Sequence, residues 1–87
     1  MLKIENAIRK EIENKNPKYI TAYQNLYIKY KDKDFESGGI VAQIFEQVYM
    51  PKDNGLLCLQ LAYGITDLEV KKLRKQFELD FFNMLTN

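Results

Sequence analysis

The chain has 87 residues, a length that forms one domain and leaves few apolar side chains beyond those that a single core requires. Hydrophobic residues make up 46% and charged residues 29%, and 13 basic and 12 acidic residues give a net charge of +1. This balance is typical of a globular protein, whereas a dedicated nucleic-acid-binding protein is usually more basic. We therefore expect a single domain over residues 1–87.

Enzymatic activity is not expected from this composition. The sequence contains no His, the commonest general base and a common metal ligand, and it has one Cys. It shows no phosphate-binding Gly-rich loop, no nucleophile elbow and no metal-binding cysteine pair. Cys58 stands in the apolar run "GLLCLQLAYG" and is expected to be a small buried hydrophobic residue. We predict no catalytic residues, no cofactor and no metal.

The distribution of charge predicts a soluble, cytoplasmic protein. The N-terminal stretch "MLKIENAIRKEIENK" is charged throughout, unlike a signal peptide. The longest uncharged run covers residues 54–66, which is shorter than the roughly 20 residues that a transmembrane helix needs.

The first half of the chain predicts two helices. Apolar residues recur at helical spacing in a first helix over residues 2–14, at Leu2, Ile4, Ile8 and Ile12. Asn16 is a suitable N-cap and Pro17 fits the first position of a second helix over residues 17–31.

A third helix is predicted from residue 40 to about Met50. Ser37 can cap it, Gly38 and Gly39 break the preceding pattern, and Pro51 follows its end. Its apolar stripe consists of Ile40, Val41, Ile44, Phe45 and Val48.

The segment 56–63, "LLCLQLAY", fits a buried helix of two turns or a buried strand, and we favour the helix because Leu, Ala and Gln are good helix formers. Gly64 is a candidate C-cap.

The last helix is predicted over residues 67–84. Thr66 and Glu69 form a capping box, and Ile65 with Val70 forms a hydrophobic staple. The expected class is all-α: an antiparallel four-helix bundle with a short extra apolar helix before the last helix.

Aromatic residues mark two candidate surfaces. Tyr residues on one side of the second helix fit a core stripe with hydroxyls at its rim, or a partner surface; they are Tyr19, Tyr23, Tyr27 and Tyr30. One helix face cannot hold both Phe81 and Phe82, which point about 100° apart. The C-terminal residues Phe81, Phe82, Met84 and Leu85 therefore indicate either burial on several sides or contact with a partner protein or a membrane interface.

The segment "YGITDLEVKKLRKQF", residues 63–77, also fits the second half of a helix-turn-helix. Gly64 and Val70 have the required spacing, and basic residues for phosphate contact follow at Lys71, Lys72, Arg74 and Lys75. Against DNA binding, Asp67 and Glu69 lie at the helix end that would face the bases. We expect nucleic acid not to be the partner.

The chain resembles the enterocin A immunity group, the immunity proteins of pediocin-like bacteriocins. The resemblance rests on "NPKYITAYQNLYIKY", similar to the second helix of that family, and on "YGITDLEVKKLRKQF", similar to the segment that opens its last helix. It implies a cytoplasmic four-helix bundle from a Gram-positive bacterium. It also implies self-protection, by recognition of the bacteriocin bound to the mannose phosphotransferase permease at the cytoplasmic side of the membrane.

On that interpretation the residues expected to contact the partner are Phe81, Phe82, Met84 and Leu85, with Lys71, Lys72, Arg74 and Lys75 as an electrostatic rim. Peripheral membrane contact is compatible with it, and the oligomeric state stays open. Two other functions remain as alternatives: a small phage or plasmid helix-turn-helix regulator, and a phage-encoded inhibitor of a host protein.

Overall fold

Five helices make up the fold of a computed structural model that describes residues 3–33 and 39–86. They are α1 (Lys3–Glu13), α2 (Pro17–Lys33), α3 (Ile40–Tyr49), α4 (Gly55–Tyr63) and α5 (Asp67–Thr86). No strand occurs in these two ranges, so the all-α class is confirmed and residues 56–63 are helical. The predicted cap at Ser37 and the adjacent Gly38 lie outside the described residues.

The turn between α1 and α2 has the predicted chemistry. The Asn16 side-chain oxygen accepts a hydrogen bond from the Lys18 backbone N–H at 3.1 Å, and Pro17 is the first residue of α2. Lys15 adopts a left-handed conformation, φ 58°, between the end of α1 and this cap. Asn16 is therefore the N-cap of α2.

The turn between α4 and α5 also follows its sequence signals. Gly64 lies in the left-handed region, φ 65°, and its N–H and that of Ile65 both bond to the Gln60 carbonyl. Thr66 and Glu69 form the predicted capping box, with backbone N–H to side-chain distances of 3.1 Å in both directions. These bonds from the Thr66 backbone and hydroxyl lower the pKa of the Glu69 carboxyl.

The core is an aromatic cluster centred on Phe45, whose side chain is fully buried on α3. Its ring lies 5.0 Å from that of Phe77 and 5.7 Å from that of Phe81, both on α5, and 5.1 Å from that of Tyr30 on α2. Helix α2 packs on α3 and α5, and α1 packs on α2 and α3. The prediction of a tyrosine core stripe is confirmed, because Tyr30 is buried and its neighbours pack against the core: Tyr19, Tyr23 and Tyr27.

Two burial predictions are wrong. Ile4 is 54% exposed, and the neighbouring Glu5 is buried in its place. Cys58 is exposed, because α4 turns only Leu56 and Leu59 toward the core. None of the described helices combines the length and apolar character needed to cross a bilayer.

Candidate partner-binding surface

A cluster of charged side chains around one buried carboxylate links three helices. Glu5 on α1 is 1% exposed and accepts two hydrogen bonds from Arg74 on α5, from Nη2 at 2.5 Å and from Nε at 3.0 Å. Arg9, one turn further along α1, donates to the same carboxylate at 3.0 Å. Arg9 Nε also donates to the Val48 carbonyl on α3 at 2.6 Å. This Glu5–Arg9–Arg74 cluster therefore ties α1 to both α3 and α5.

The cluster removes Arg74 from the expected electrostatic rim. Arg74 donates hydrogen bonds to the Glu5 carboxylate through Nε and Nη2, and these bonds raise the pKa of Arg74. Lys71, Lys72 and Lys75 are exposed and remain available to an acidic partner. The sequence could not single out Arg74 among four neighbouring cations, because its partner lies 69 residues away.

The four C-terminal residues that were expected to contact a partner differ in their exposure to solvent. Phe81 is 0% exposed and stacks against the core, so its assignment as a partner contact is wrong for the folded chain. Met84 and Leu85 are partly buried against the same core. Phe82, in contrast, is 61% exposed. The roughly 100° between successive residues thus places one Phe inside and one outside.

Phe82 belongs to an apolar groove between α1 and α5, here called the α1/α5 groove. It is lined by Ile4, Lys75, Glu78, Leu79 and Phe82 and has a volume of about 430 Å³. Its apolar residues are exposed: Ile4 by 54%, Leu79 by 55% and Phe82 by 61%. The Glu5–Arg74 bonds join the same two helices that form the groove.

One face of α5 joins the groove to the basic residues. Lys72, Lys75, Leu79 and Phe82 follow one another at spacings of three, four and three residues, so they form a single stripe along the helix. The stripe is cationic toward the N-terminal half of α5 and apolar toward its C-terminal end. Such a surface can bind an apolar segment of a partner while its lysines contact neighbouring anionic groups.

Two acidic residues near this stripe have different surroundings: Asp80 accepts hydrogen bonds within the fold, and Glu78 lines the groove. Asp80 accepts hydrogen bonds from the Tyr30 hydroxyl and, at 2.9 Å, from Gln76. Burial and this bond to Asp80 raise the pKa of Tyr30. Glu78 lines the α1/α5 groove and is the one acidic residue among its lining side chains.

A second groove, of about 630 Å³, lies where the ends of α1 and α3 meet the beginning of α2. Its walls include Ile12, Tyr23, Tyr49 and Met50. The Tyr49 hydroxyl is buried and has no hydrogen-bond partner among residues 3–33 and 39–86. Burial raises the pKa of this hydroxyl, and the nearby Glu5 and Glu78 carboxylates add to the effect.

Comparison of the chain with protein-family models, with curated proteins and with solved structures gives no match. In the described part of the chain, no group of three or more thiol and carboxylate side chains is placed to hold a metal ion.

Proposed function

We propose that this protein is a bacteriocin immunity protein, which protects its cell from a pediocin-like bacteriocin. In this proposal it acts without catalysis, by binding the bacteriocin–receptor complex at the cytoplasmic side of the membrane. The α1/α5 groove is the contact surface, with Phe82 inserted into the partner and Lys72 and Lys75 at the rim.

The exposure of Phe82 beside Leu79 and Ile4 is the observation that carries the proposal. Aromatic residues are enriched in the centres of protein interfaces, where burial of a Phe side chain contributes roughly 1.5–3 kcal/mol. Lysines on the same helical stripe would be attracted to acidic groups of a membrane-bound receptor or to anionic headgroups beside it. The resemblance of residues 16–30 and 63–77 to the immunity family supplies the identity of the partner.

The test is survival of a bacteriocin-sensitive strain that expresses the chain and is challenged with a panel of pediocin-like peptides. We expect protection against at least one peptide, and we expect Phe82→Glu to abolish it. Ile28→Glu is the matched control, because Ile28 is 56% exposed on α2, outside the groove, and should leave protection unchanged. Both variants are checked for helical content and for urea stability.

Protection by none of the peptides would remove the immunity function. Full protection by Phe82→Glu, with loss in Ile28→Glu, would move the contact surface away from the α1/α5 groove.

A DNA-binding regulator is the second candidate, and the geometry of the α4–α5 turn favours it. Gly64 has the left-handed conformation of a helix-turn-helix glycine, and Val70, six residues later, is 5% exposed. DNA binding would appear as an affinity that falls steeply with salt and is abolished when Lys71, Lys72 and Lys75 are replaced by Glu. The immunity proposal expects no such binding.

A further inference from the structure

A third groove lies between α4 and α5 and is here called the α4/α5 groove. It has a volume of about 350 Å³, which is within the range of ligand-binding pockets. Its apolar lining consists of Leu56 on α4, which is partly buried, and Val70 on α5, which is buried. Its charged lining comes from α5 alone: Asp67, Lys71, Arg74 and Lys75. The groove therefore combines an apolar floor with charged groups on one helix.

The charges that line the α4/α5 groove are mostly positive. Three of the four are cations, and the one anion, Asp67, already accepts a hydrogen bond from Gln60 at 2.8 Å. Lys71 and Lys75 form no ion pair within residues 3–33 and 39–86. In the α1/α5 groove, by contrast, one Lys and one Glu balance each other. The α4/α5 groove thus carries positive charge that its own lining does not neutralise.

Arg74 is the cation of this groove whose position is fixed. Glu5 accepts hydrogen bonds from its Nε and Nη2, whereas Nη1 donates to no residue in the described part of the chain. The Arg74 side chain is 33% exposed. Arg9 bonds to the same carboxylate, so two arginines share one anion and one positive charge stays uncompensated. A guanidinium held in this way loses little conformational entropy when it binds an anion.

We propose that the α4/α5 groove binds an acidic peptide segment of a partner protein, one in which an apolar side chain stands next to Asp or Glu. The carboxylate of the segment contacts Arg74, and its apolar side chain lies against Leu56 and Val70. Lys71 and Lys75 lie on the same face of α5 as Arg74 and attract the acidic segment. Lys75 alone lines both this groove and the α1/α5 groove, so the proposal does not depend on the immunity function.

The lining of the groove argues against two other anionic ligands. A nucleic acid would bring successive phosphates to the first turn of α5, where Asp67 and Glu69 repel them. A free phosphate ion has no apolar part, so it would gain nothing from Leu56 and Val70. A peptide fits both parts of the groove, because a carboxylate and an apolar side chain can occupy neighbouring positions.

NMR titration with the peptide N-acetyl-Glu-Leu-Glu-amide tests the site. We expect the Arg74 Nε–H resonance to shift and saturate, with a dissociation constant of roughly 0.1–1 mM for so small a groove. The Arg9 Nε–H is the internal control, because it donates to the Val48 carbonyl and Arg9 does not line the groove. Its resonance should move far less. The charge-reversed peptide, with Lys in place of Glu, should not bind, and the peptide with Gly in place of Leu should bind about 5-fold more weakly.

A charge reversal at Lys71 tests the groove from the protein side. Lys71→Glu should weaken binding of the acidic peptide about 10-fold, because repulsion replaces attraction beside Arg74. Lys72→Glu is the matched control: it makes the same change at an exposed residue that lines neither groove, and it should weaken binding less than about 3-fold. Phe82→Glu should bind the peptide like the unmodified chain. Lys71 is exposed, so its replacement should leave the helical content unchanged, which circular dichroism checks.

Three results would overturn the proposal. The first is the absence of any Arg74 shift up to about 10 mM peptide. The second is an equal loss of binding in Lys71→Glu and Lys72→Glu, which would show attraction to the whole charged helix rather than to the groove. The third is tighter binding at Arg74 of inorganic phosphate or of a DNA duplex than of the peptide, which would assign the groove to phosphate groups.

Discussion

Replacement of Glu5 by Gln tests whether the Glu5–Arg9–Arg74 cluster stabilises the fold. Gln keeps the size of the side chain but removes its charge, and it places an NH₂ group where Arg9 and Arg74 donate hydrogen bonds. Breaking a buried ion pair typically costs 3–5 kcal/mol. Here the arginine side chains are 30% and 33% exposed and can turn to water, so we expect a loss of about 2–3 kcal/mol.

Urea denaturation measures this loss. With a slope of roughly 1–2 kcal/mol/M for a small protein, the midpoint should fall by about 1–3 M. Glu13→Gln is the matched control, an exposed carboxylate on the same helix, and should change the free energy of unfolding by less than about 0.5 kcal/mol. A Glu5→Gln variant as stable as that control would refute a stabilising role for the cluster.

A second substitution separates charge from hydrogen bonding. Glu5→Leu removes both acceptor oxygens, whereas Gln keeps one, so the two arginines lose every bond to this side chain and we expect a larger cost than for Glu5→Gln. If Glu5→Leu costs no more than Glu5→Gln, the acceptor that Gln keeps contributes nothing and the loss comes from the charge alone.

Three further predictions concern single groups. Tyr49→Phe removes a buried hydroxyl that has no partner in the described residues, so the free energy of unfolding, measured by urea denaturation, should rise by about 1 kcal/mol. A decrease of that size would contradict this prediction. Gly64→Ala should lower the free energy of unfolding by about 1 kcal/mol, because the residue has a φ of 65°, even though the added methyl group meets no atom within 4 Å. An unchanged urea midpoint would contradict this prediction. Burial raises the pKa values of Tyr30 and Tyr49, so above about pH 10 the unfolded chain releases protons that the folded chain retains. Stability should therefore decrease as the pH rises above about 10, by at most about 1.4 kcal/mol per pH unit for each tyrosine, and a constant urea midpoint from about pH 8 to about pH 11 would disprove this.

Local signals were sufficient for most of the helix boundaries. Asn16 with Pro17, and Thr66 with Glu69, are short-range patterns whose hydrogen bonds form within three residues, so the sequence alone determines them. The helical state of residues 56–63 followed from composition, because Leu, Ala and Gln favour a helix where periodicity could not decide.

Long-range packing explains what the sequence did not predict. Periodicity placed Ile4 in the core, but the buried side of α1 carries Glu5, which bonds to Arg74, with Ile8 and Ile12, and Ile4 faces solvent. No local pattern pairs residue 5 with residue 74. Cys58 was expected inside because its segment is apolar, yet α4 packs on α3 with a narrow face.

The buried carboxylate and the exposed Phe82 are parts of one arrangement. Glu5 is buried while the neighbouring Ile4 is exposed, and Ile4 forms the α1 side of the α1/α5 groove. The bonds from Arg74 to Glu5 connect the two helices that form the sides of that groove. A surface held in its binding geometry loses less conformational entropy on association. A charged residue in the core of so small a protein is thereby connected to the surface that we propose for partner binding, because Glu5 bonds to Arg74 on α5 and the neighbouring Ile4 lines the groove.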